Sequence, residues 1–459
     1  MGSPESQTQC SSSTMAKHAL RNRASLCFSD GCLFLGGVLM ALLLVWSFSS
    51  FASPPTSIPS ETLASSSSAA AAAAEGPPQC APVAAPPRDS EQSGNFYDDP
   101  ELSYSIGRPV RGWDGKRQEW LRQHPSLASG GGRERVLLVT GSQPSPCKNK
   151  IGDHLLLRFF KNKVDYCRLH GCDVFYNNVL LQPQMFSYWA KYPVVRAAML
   201  AHPEAEWIWW VDSDALFTDM DFEPPLDRYK GYNLVVHGWR DLIYEKKSWT
   251  SINAGVFLIR NCQWSMDFMD VWAGTGPQSP EYERWGHVLS STFADKLFPE
   301  SDDQSALVYL LLTQKDRYGN KIYVESDYYF EGYWEEILGT LPNITREYED
   351  TERRGPQALR RRHAEKASGY YAARRAEAAG AARKRPFVTH FTGCQPCSGA
   401  YNQMYSGESC WNGMVKALNF ADNQVLRRYG YVRPDLMDSA VVKPIPFDYP
   451  AGGGGGGGG

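Results

Sequence analysis

The 459-residue sequence predicts an α/β domain with a mainly parallel central sheet flanked by helices, carried behind a single N-terminal transmembrane helix. Three observations predict it. An apolar run without a charge covers residues 31–51. Short buried-strand segments alternate with helical ones between Arg135 and Val211. An acid-rich turn, Asp212-Ser213-Asp214, stands where the last of those strands ends.

The apolar run contains Leu33, Phe34, Leu35, Val38, Leu39, Leu42, Leu43, Leu44, Val45 and Trp46. About 20 such residues span a bilayer as a helix. The rival is a cleaved signal peptide, but the run is long for one and the Ser/Pro stretch after it offers a weak cleavage site. Lys17, Arg21 and Arg23 precede the run, so residues 1–30 are expected in the cytosol and the rest in a lumen. Residues 52–95 are Ser, Ala and Pro with little bulky apolar surface, which reads as a flexible stem. A single domain then covers 96–450, and residues 451–459 close the chain as a glycine tail without an assignable role.

Cysteine usage agrees with a lumen. Beyond the apolar run stand Cys80, Cys147, Cys167, Cys172, Cys262, Cys394, Cys397 and Cys410, an even set for which disulfides are expected but whose pairing the sequence leaves open. Cys394 and Cys397 have a zinc-like spacing, yet no second Cys/His pair stands at finger distance. Asn343-Ile344-Thr345 is a glycosylation acceptor triplet, usable only on the luminal side. The net charge of −3 and the lack of a basic face in the folded part exclude nucleic acid as the main partner.

Within the domain, Arg135–Thr140 reads as a buried parallel strand ending in Gly141-Ser142. A helix follows over 153–170, with Leu156, Phe159, Phe160, Val164 and Cys167 at helical spacing and Gly171 as its cap. Asp173–Tyr176 is the next strand, Tyr188–Leu200 a helix broken near Pro193, and Trp207–Val211 a further buried strand. Such alternation implies right-handed crossovers, with ligands beyond the carboxyl ends of the strands. Asn253-Ala-Gly255 reads as a turn entering the buried strand Val256–Ile259. Asp302-Asp303-Gln304 opens the apolar helix Ala306–Leu312, as caps or as catalytic groups. The aromatic run Tyr328–Trp334 suits core packing and sugar stacking equally.

Asp212-Ser213-Asp214 directly follows the most apolar strand. Two carboxylates one residue apart at a strand end can share a hard divalent cation, which offsets the charge of a departing diphosphate. His390 ends the strand-like segment Phe387–Thr389 and is the third candidate ligand. Imidazole beside carboxylates favours Mn²⁺ over Mg²⁺. Gly393 follows as a place where backbone can approach a diphosphate.

The segments Asp212-Ser-Asp214-Ala-Leu-Phe-Thr, Ser248-Trp-Thr-Ser-Ile-Asn253-Ala-Gly255, Arg260-Asn-Cys-Gln-Trp264-Ser, Asp302-Asp303-Gln304, Glu331-Gly-Tyr-Trp334, His390-Phe-Thr-Gly393-Cys-Gln-Pro-Cys397 and Asn419–Gln424 together resemble the plant family of xyloglucan 6-xylosyltransferases and galactomannan galactosyltransferases. The likeness runs over about Phe96 to Pro450. It implies a GT-A-type fold, Golgi residence as a type II membrane protein, Mn²⁺, and retaining α-1,6 transfer from UDP-xylose or UDP-galactose to a β-1,4-glucan or mannan acceptor. Carried over by motif, Asp212, Asp214 and His390 hold the metal. Gly141, Ser142, Asp212, Gly393 and Gln395 meet the nucleotide-sugar, and Asp302, Asp303 and Gln304 lie near the reacting carbon. A homo- or hetero-oligomer with other Golgi transferases is a further expectation. The rival from another class is a non-catalytic member that scaffolds such enzymes, against which the intact acids and His390 argue.

Two departures stand out. Gln395 occupies a place where the xylosyl branch carries Lys, which moves the resemblance toward the galactosyl side. Residues 346–385 are charged and rich in Ala and Arg, and read as a helical surface insertion.

Overall fold

The computed structural model describes residues 99–128, 134–354 and 386–445. The expected transmembrane run, stem and glycine tail, Cys80 and most of the expected 346–385 insertion lie outside the described residues. Among the described residues no helix is long and apolar enough to cross a membrane.

The longer helices are α1 (Trp113–Gln123), α2 (Gly152–His170), α3 (Lys191–Ala201), α4 (Gln263–Ala273), α5 (Tyr282–Thr292), α6 (Asp303–Thr313), α7 (Leu341–Arg354) and α8 (Gly407–Leu426). The central sheet holds β1 (Val136–Gly141), β2 (Asp173–Asn177), β3 (Trp207–Val211), β5 (Leu234–Gly238), β6 (Ile252–Arg260) and β7 (Ile322–Glu325) in the order β2-β1-β3-β6-β5-β7. The pairs β1/β2, β1/β3 and β5/β7 are parallel, and β6 alone runs against both its neighbours. The expected mainly parallel, helix-flanked sheet is therefore present, with one reversed strand inside it. β4 (Ala215–Phe217) and β8 (Val388–His390) form a separate antiparallel ribbon, and β9 (Tyr431–Val432) with β10 (Lys443–Pro444) a second.

β3 shows why its sequence is apolar without alternation. Trp207, Trp209 and Val211 face the core under α2 and α8, and Ile208 and Trp210 face the core under α3, α4 and α6. A strand covered on both faces has no polar side. α2 ends as expected, with Gly171 at φ 72° and its N–H donating to Cys167 O.

Several elements differ from the sequence reading. Pro193 breaks nothing: a 3₁₀ turn over Ser187–Ala190 leads into α3, and Pro193 stands in the first helical turn, where an amide would lack a partner anyway. Asn253 and Gly255 already belong to β6 rather than to a turn before it. Tyr328, Phe330 and Trp334 are buried in the core. Asn343 is exposed but sits in the first turn of α7, where Thr345 Oγ1 donates to Leu341 O (2.9 Å). α7 itself carries the chain to Arg354, into the first part of the predicted insertion.

Disulfides join Cys147 to Cys397, Cys167 to Cys172 and Cys394 to Cys410. Cys394 and Cys397 each have a covalent partner elsewhere, so their spacing is not that of a zinc pair.

Candidate active site

In the order β2-β1-β3 the chain leaves β1 first to one side and then to the other. The carboxyl ends of β1 and β3 therefore flank a switch point, where sheets of this kind open a crevice. A cleft of about 610 Å³ lies there, lined among others by Gly141, Ser142, Asn177, Lys191, Trp210, Asp212, Asp214 and Gln395.

After β3 the chain turns tightly, with Ala215 N donating to Asp212 O (3.1 Å), and returns as β4. β4 pairs with β8 in the register Ala215↔His390, and Phe391 N donates to Asp214 O (3.1 Å). That register sets the imidazole beside the acids. Its Nε2 lies 3.3 Å from Asp214 Oδ1 and 3.8 Å from Asp212 Oδ2. One ligand atom from each of Asp212, Asp214 and His390 falls within 4.8 Å of the others. A one-residue slip of β8 would turn His390 to the opposite face.

The reversed strand completes this seat. Because β6 is antiparallel to β3, its beginning lies where β3 ends, and Asp212 N donates to Gly255 O (2.9 Å). A Cβ on Gly255 would stand 2.3 Å from His390 Cε1 and 2.6 Å from Asp212 Oδ2. Glycine at this position leaves His390 and Asp212 room to converge. Asn253 Oδ1 accepts from Gly255 N (2.7 Å) and steadies that backbone. Two carboxylates and an imidazole around a hollow that a methyl group would fill fit a divalent cation, and Mn²⁺ accepts both donor types.

Charges below the seat are arranged in a chain. Lys191 Nζ, almost fully buried, is 2.9 Å from Asp303 Oδ2 and 3.7 Å from Asp212 Oδ1, and donates to Ala254 O (3.0 Å). Burial disfavours its ammonium, but Asp212 and Asp303 outweigh burial and hold its pKa above the usual lysine value. Burial pushes the Asp303 carboxyl up, against the pull of Lys191. Tyr192 OH donates to Asp303 Oδ2 (3.3 Å), and Trp210 Nε1 donates to Asp212 Oδ1 (2.6 Å). Lys163 donates to Ala215 O (2.7 Å), and burial lowers its pKa to about 7 although Asp214 and Asp212 pull the other way. For His390, burial opposes the imidazolium, yet Asp214 and Glu331 prevail and raise its pKa to about 10.

The predicted acids separate. Asp303 joins the seat through Lys191. Asp302 caps α6, its Oδ1 accepting from Ser305 N (2.8 Å) while Oδ2 lies 2.9 Å from Lys296 Nζ. Gln304 donates to Trp249 O (3.0 Å). Of the residues expected at the nucleotide, Gly141, Ser142, Asp212 and Gln395 line the cleft. Gly141 is required by Asn177, whose carbonyl oxygen would lie 2.4 Å from a Cβ there. Gly393 is not among the lining residues: it adopts φ 80° and packs under Tyr405, whose ring atom would be 2.9 Å from a Cβ. Gln395 Oε1 accepts from Ser398 Oγ (2.7 Å).

Lys191 and Glu331 were missed by sequence reasoning. Each left a signal in an otherwise apolar or aromatic run: Lys191, with Arg196, inside Tyr188–Leu200, and Glu331 as the lone charge inside Tyr328–Trp334. Lone buried charges need partners, and that need points toward a site.

Residues 132–401 match the galactosyl transferase GMA12/MNN10 family. The chain is 57% identical over 461 residues to putative glycosyltransferase 7 of Arabidopsis thaliana, covering 98% of this chain and 99% of that protein. It is 57% identical over 441 residues to galactomannan galactosyltransferase 1 of Cyamopsis tetragonoloba, covering 95% of this chain and all of that protein. Among solved structures, a glycosyltransferase involved in the glycosylation of the major capsid of PBCV-1 superposes at a TM-score of 0.31 and 14% identity, over 46% of this chain and 90% of that one. The chain belongs to the galactosyl transferase GMA12/MNN10 family and is a glycosyltransferase.

Proposed function

We propose that this glycosyltransferase moves galactose from UDP-galactose onto a β-1,4-linked mannan with retention of anomeric configuration, working in the Golgi lumen from its N-terminal anchor. The observation that carries the reading is the seat formed by Asp212, Asp214 and His390 around Gly255, at the wall of a cleft large enough for a nucleotide-sugar. Galactose is favoured over xylose by Gln395 and by the likeness to a galactomannan galactosyltransferase.

Asp212, Asp214 and His390 would hold Mn²⁺, which supplies positive charge opposite a leaving diphosphate. The remaining work belongs to the protein. Gly141 and Ser142 at the end of β1 and Gln395, all on the cleft wall, orient the nucleotide-sugar. The Asp303 carboxylate, held by Lys191 and Tyr192, sets negative potential for a sugar carbon that turns cationic as its bond to oxygen lengthens. Gln304, anchored on Trp249 O, supplies a neutral dipole nearby. On this reading the acceptor hydroxyl enters on the face the leaving group vacates and passes its proton to the departing diphosphate oxygen as the new C–O bond forms, which preserves configuration.

The test uses the full chain in membranes, with Mn²⁺, UDP-galactose or UDP-xylose, and manno- or cello-oligosaccharides. A hexose added to the mannan chain is the expected product. A pentose added to the glucan chain would make it a xyloglucan enzyme instead. No product from any pair, with UDP still bound, would favour the scaffold.

A further inference from the structure

The cation seat has a back wall, and one carboxylate in it has no evident structural reason to be there. Glu331 is buried, 6% exposed, and its Oε1 lies at ion-pair distance, 3.2 Å, from His390 Nδ1, the ring nitrogen that faces away from the two acids and that has no other polar partner among the described residues. Among the described residues its carboxylate pairs with no lysine or arginine; the imidazole is its ionic partner. A buried carboxylate is expensive to desolvate and is kept where a specific partner needs it.

The backbone fixes this pairing as firmly as the side chains do. Residues 329–333 run beside β8: Val388 N donates to Tyr329 O (3.1 Å), His390 N donates to Gly332 O (2.9 Å), and Tyr333 bridges His390 in parallel. Gly332 permits that approach, since a Cβ there would stand 2.8 Å from Val388 O and 2.5 Å from Ile337 Cδ1. The segment that holds the backbone of His390 therefore also delivers the carboxylate to its ring.

We propose that Glu331 is a positioning residue for the cation, holding the Nδ1–H of His390 so that Nε2 presents its lone pair to the seat shared with Asp212 and Asp214. A neutral imidazole carries its proton on one nitrogen, and the hydrogen bond at that nitrogen decides which one is left to bind metal. The carboxylate also makes the ring a stronger donor, and partners of this kind are worth roughly 10–100-fold in metal affinity. The inference rests on the reading of Asp212, Asp214 and His390 as metal ligands.

Mn²⁺ binding to the full chain, measured by electron paramagnetic resonance without donor or acceptor, tests it. His390→Ala serves as the control for the ligand set. If wild type binds no Mn²⁺, or if this variant binds as wild type does, the metal reading itself fails and this inference falls with it. Given that control, Glu331→Met, which keeps volume and removes the acceptor, should bind Mn²⁺ roughly 10–100-fold more weakly. Glu331→Gln, whose amide oxygen offers Nδ1–H an uncharged acceptor, should recover part of the loss. A folded Glu331→Met protein within about twofold of wild type would overturn the inference while leaving the ligand set intact. So would a folded Glu331→Gln protein no better than Glu331→Met. Should Glu331→Met fail to fold, Glu331→Gln decides alone: it is expected to lose severalfold in affinity, and wild-type binding would overturn the role of the charge.

Discussion

The site is assembled from two halves of the chain that obey different rules. The first, residues 136–214, makes its part locally: three parallel strands, two helices and a tight turn deliver Asp212 and Asp214. The second, residues 329–410, has little regular structure near the site and reaches it by pairing. β8 docks on β4, residues 329–333 dock on β8, and two disulfides pin the loop after it. The acids are placed by a strand end, the imidazole by a register. The contrast teaches that a site can divide its tolerance to change, with one half buffered by a packed sheet and the other dependent on a few long-range bonds.

The comparison breaks most directly in a double-mutant cycle. Asp214→Ala and His390→Ala should each lower kcat/KM by on the order of a hundredfold or more, as removal of key electrostatic groups does. Together they should do little worse than either alone, because both empty one seat. Additive losses would mean that the halves act separately. Next in size is the covalent stitch: Cys147→Ser with Cys397→Ser should lower stability by about 2–4 kcal/mol, read as a fall in Tm. Unchanged Tm would show that packing alone secures the second half.

A pH series sharpens the comparison further. The pKa of His390 is raised to about 10, above its ordinary value of 6.5. In metal-free protein the imidazolium thus adds stability that is fully present below pH 6.5 and is lost as pH rises toward 10. Cation binding needs the neutral ring, so Mn²⁺ affinity should run the other way and increase with pH across that window. Melting curves of metal-free wild type and His390→Gln should diverge at low pH and converge at high pH. Parallel curves would sink the assignment. The smallest effect belongs to the first half: Pro193→Ala should shift stability by less than about 1 kcal/mol, since the ring lies in a first helical turn. A large loss would restore a structural role for a break there.

Legibility in the sequence follows the same division. β3, α2 with its Gly171 cap, and the acidic turn could be read because their causes are local: apolar continuity, helical spacing, a left-handed cap. His390 was within reach because it stands at the end of a strand-like segment. Its neighbour Glu331 shows by its lone charge that it needs a partner but not which one, because nothing local tells that residues 329–333 lie beside 388–390. Asp302 and Asp303 show the limit within a single dipeptide. Both sit at a helix start, and only the tertiary position of Lys191 and Lys296 makes one a partner of the seat and the other a cap with its own cation. Gly255 is a further case, since a turn glycine and a glycine forced by three converging side chains look alike until the strand is seen to run backwards.

The Cys147–Cys397 bond closes a covalent ring over a sequence separation of 250 residues. β2 through β8 lie inside it, together with all three residues of the cation seat. A protease that cuts anywhere within that span yields a nicked molecule that stays in one piece. It would migrate as a single band until a thiol reagent is added and as two bands afterwards. Cleavage between residues 355 and 385 would then separate the acids from the imidazole in sequence but not in mass, so the two halves of the site would purify together after the peptide chain between them had been broken.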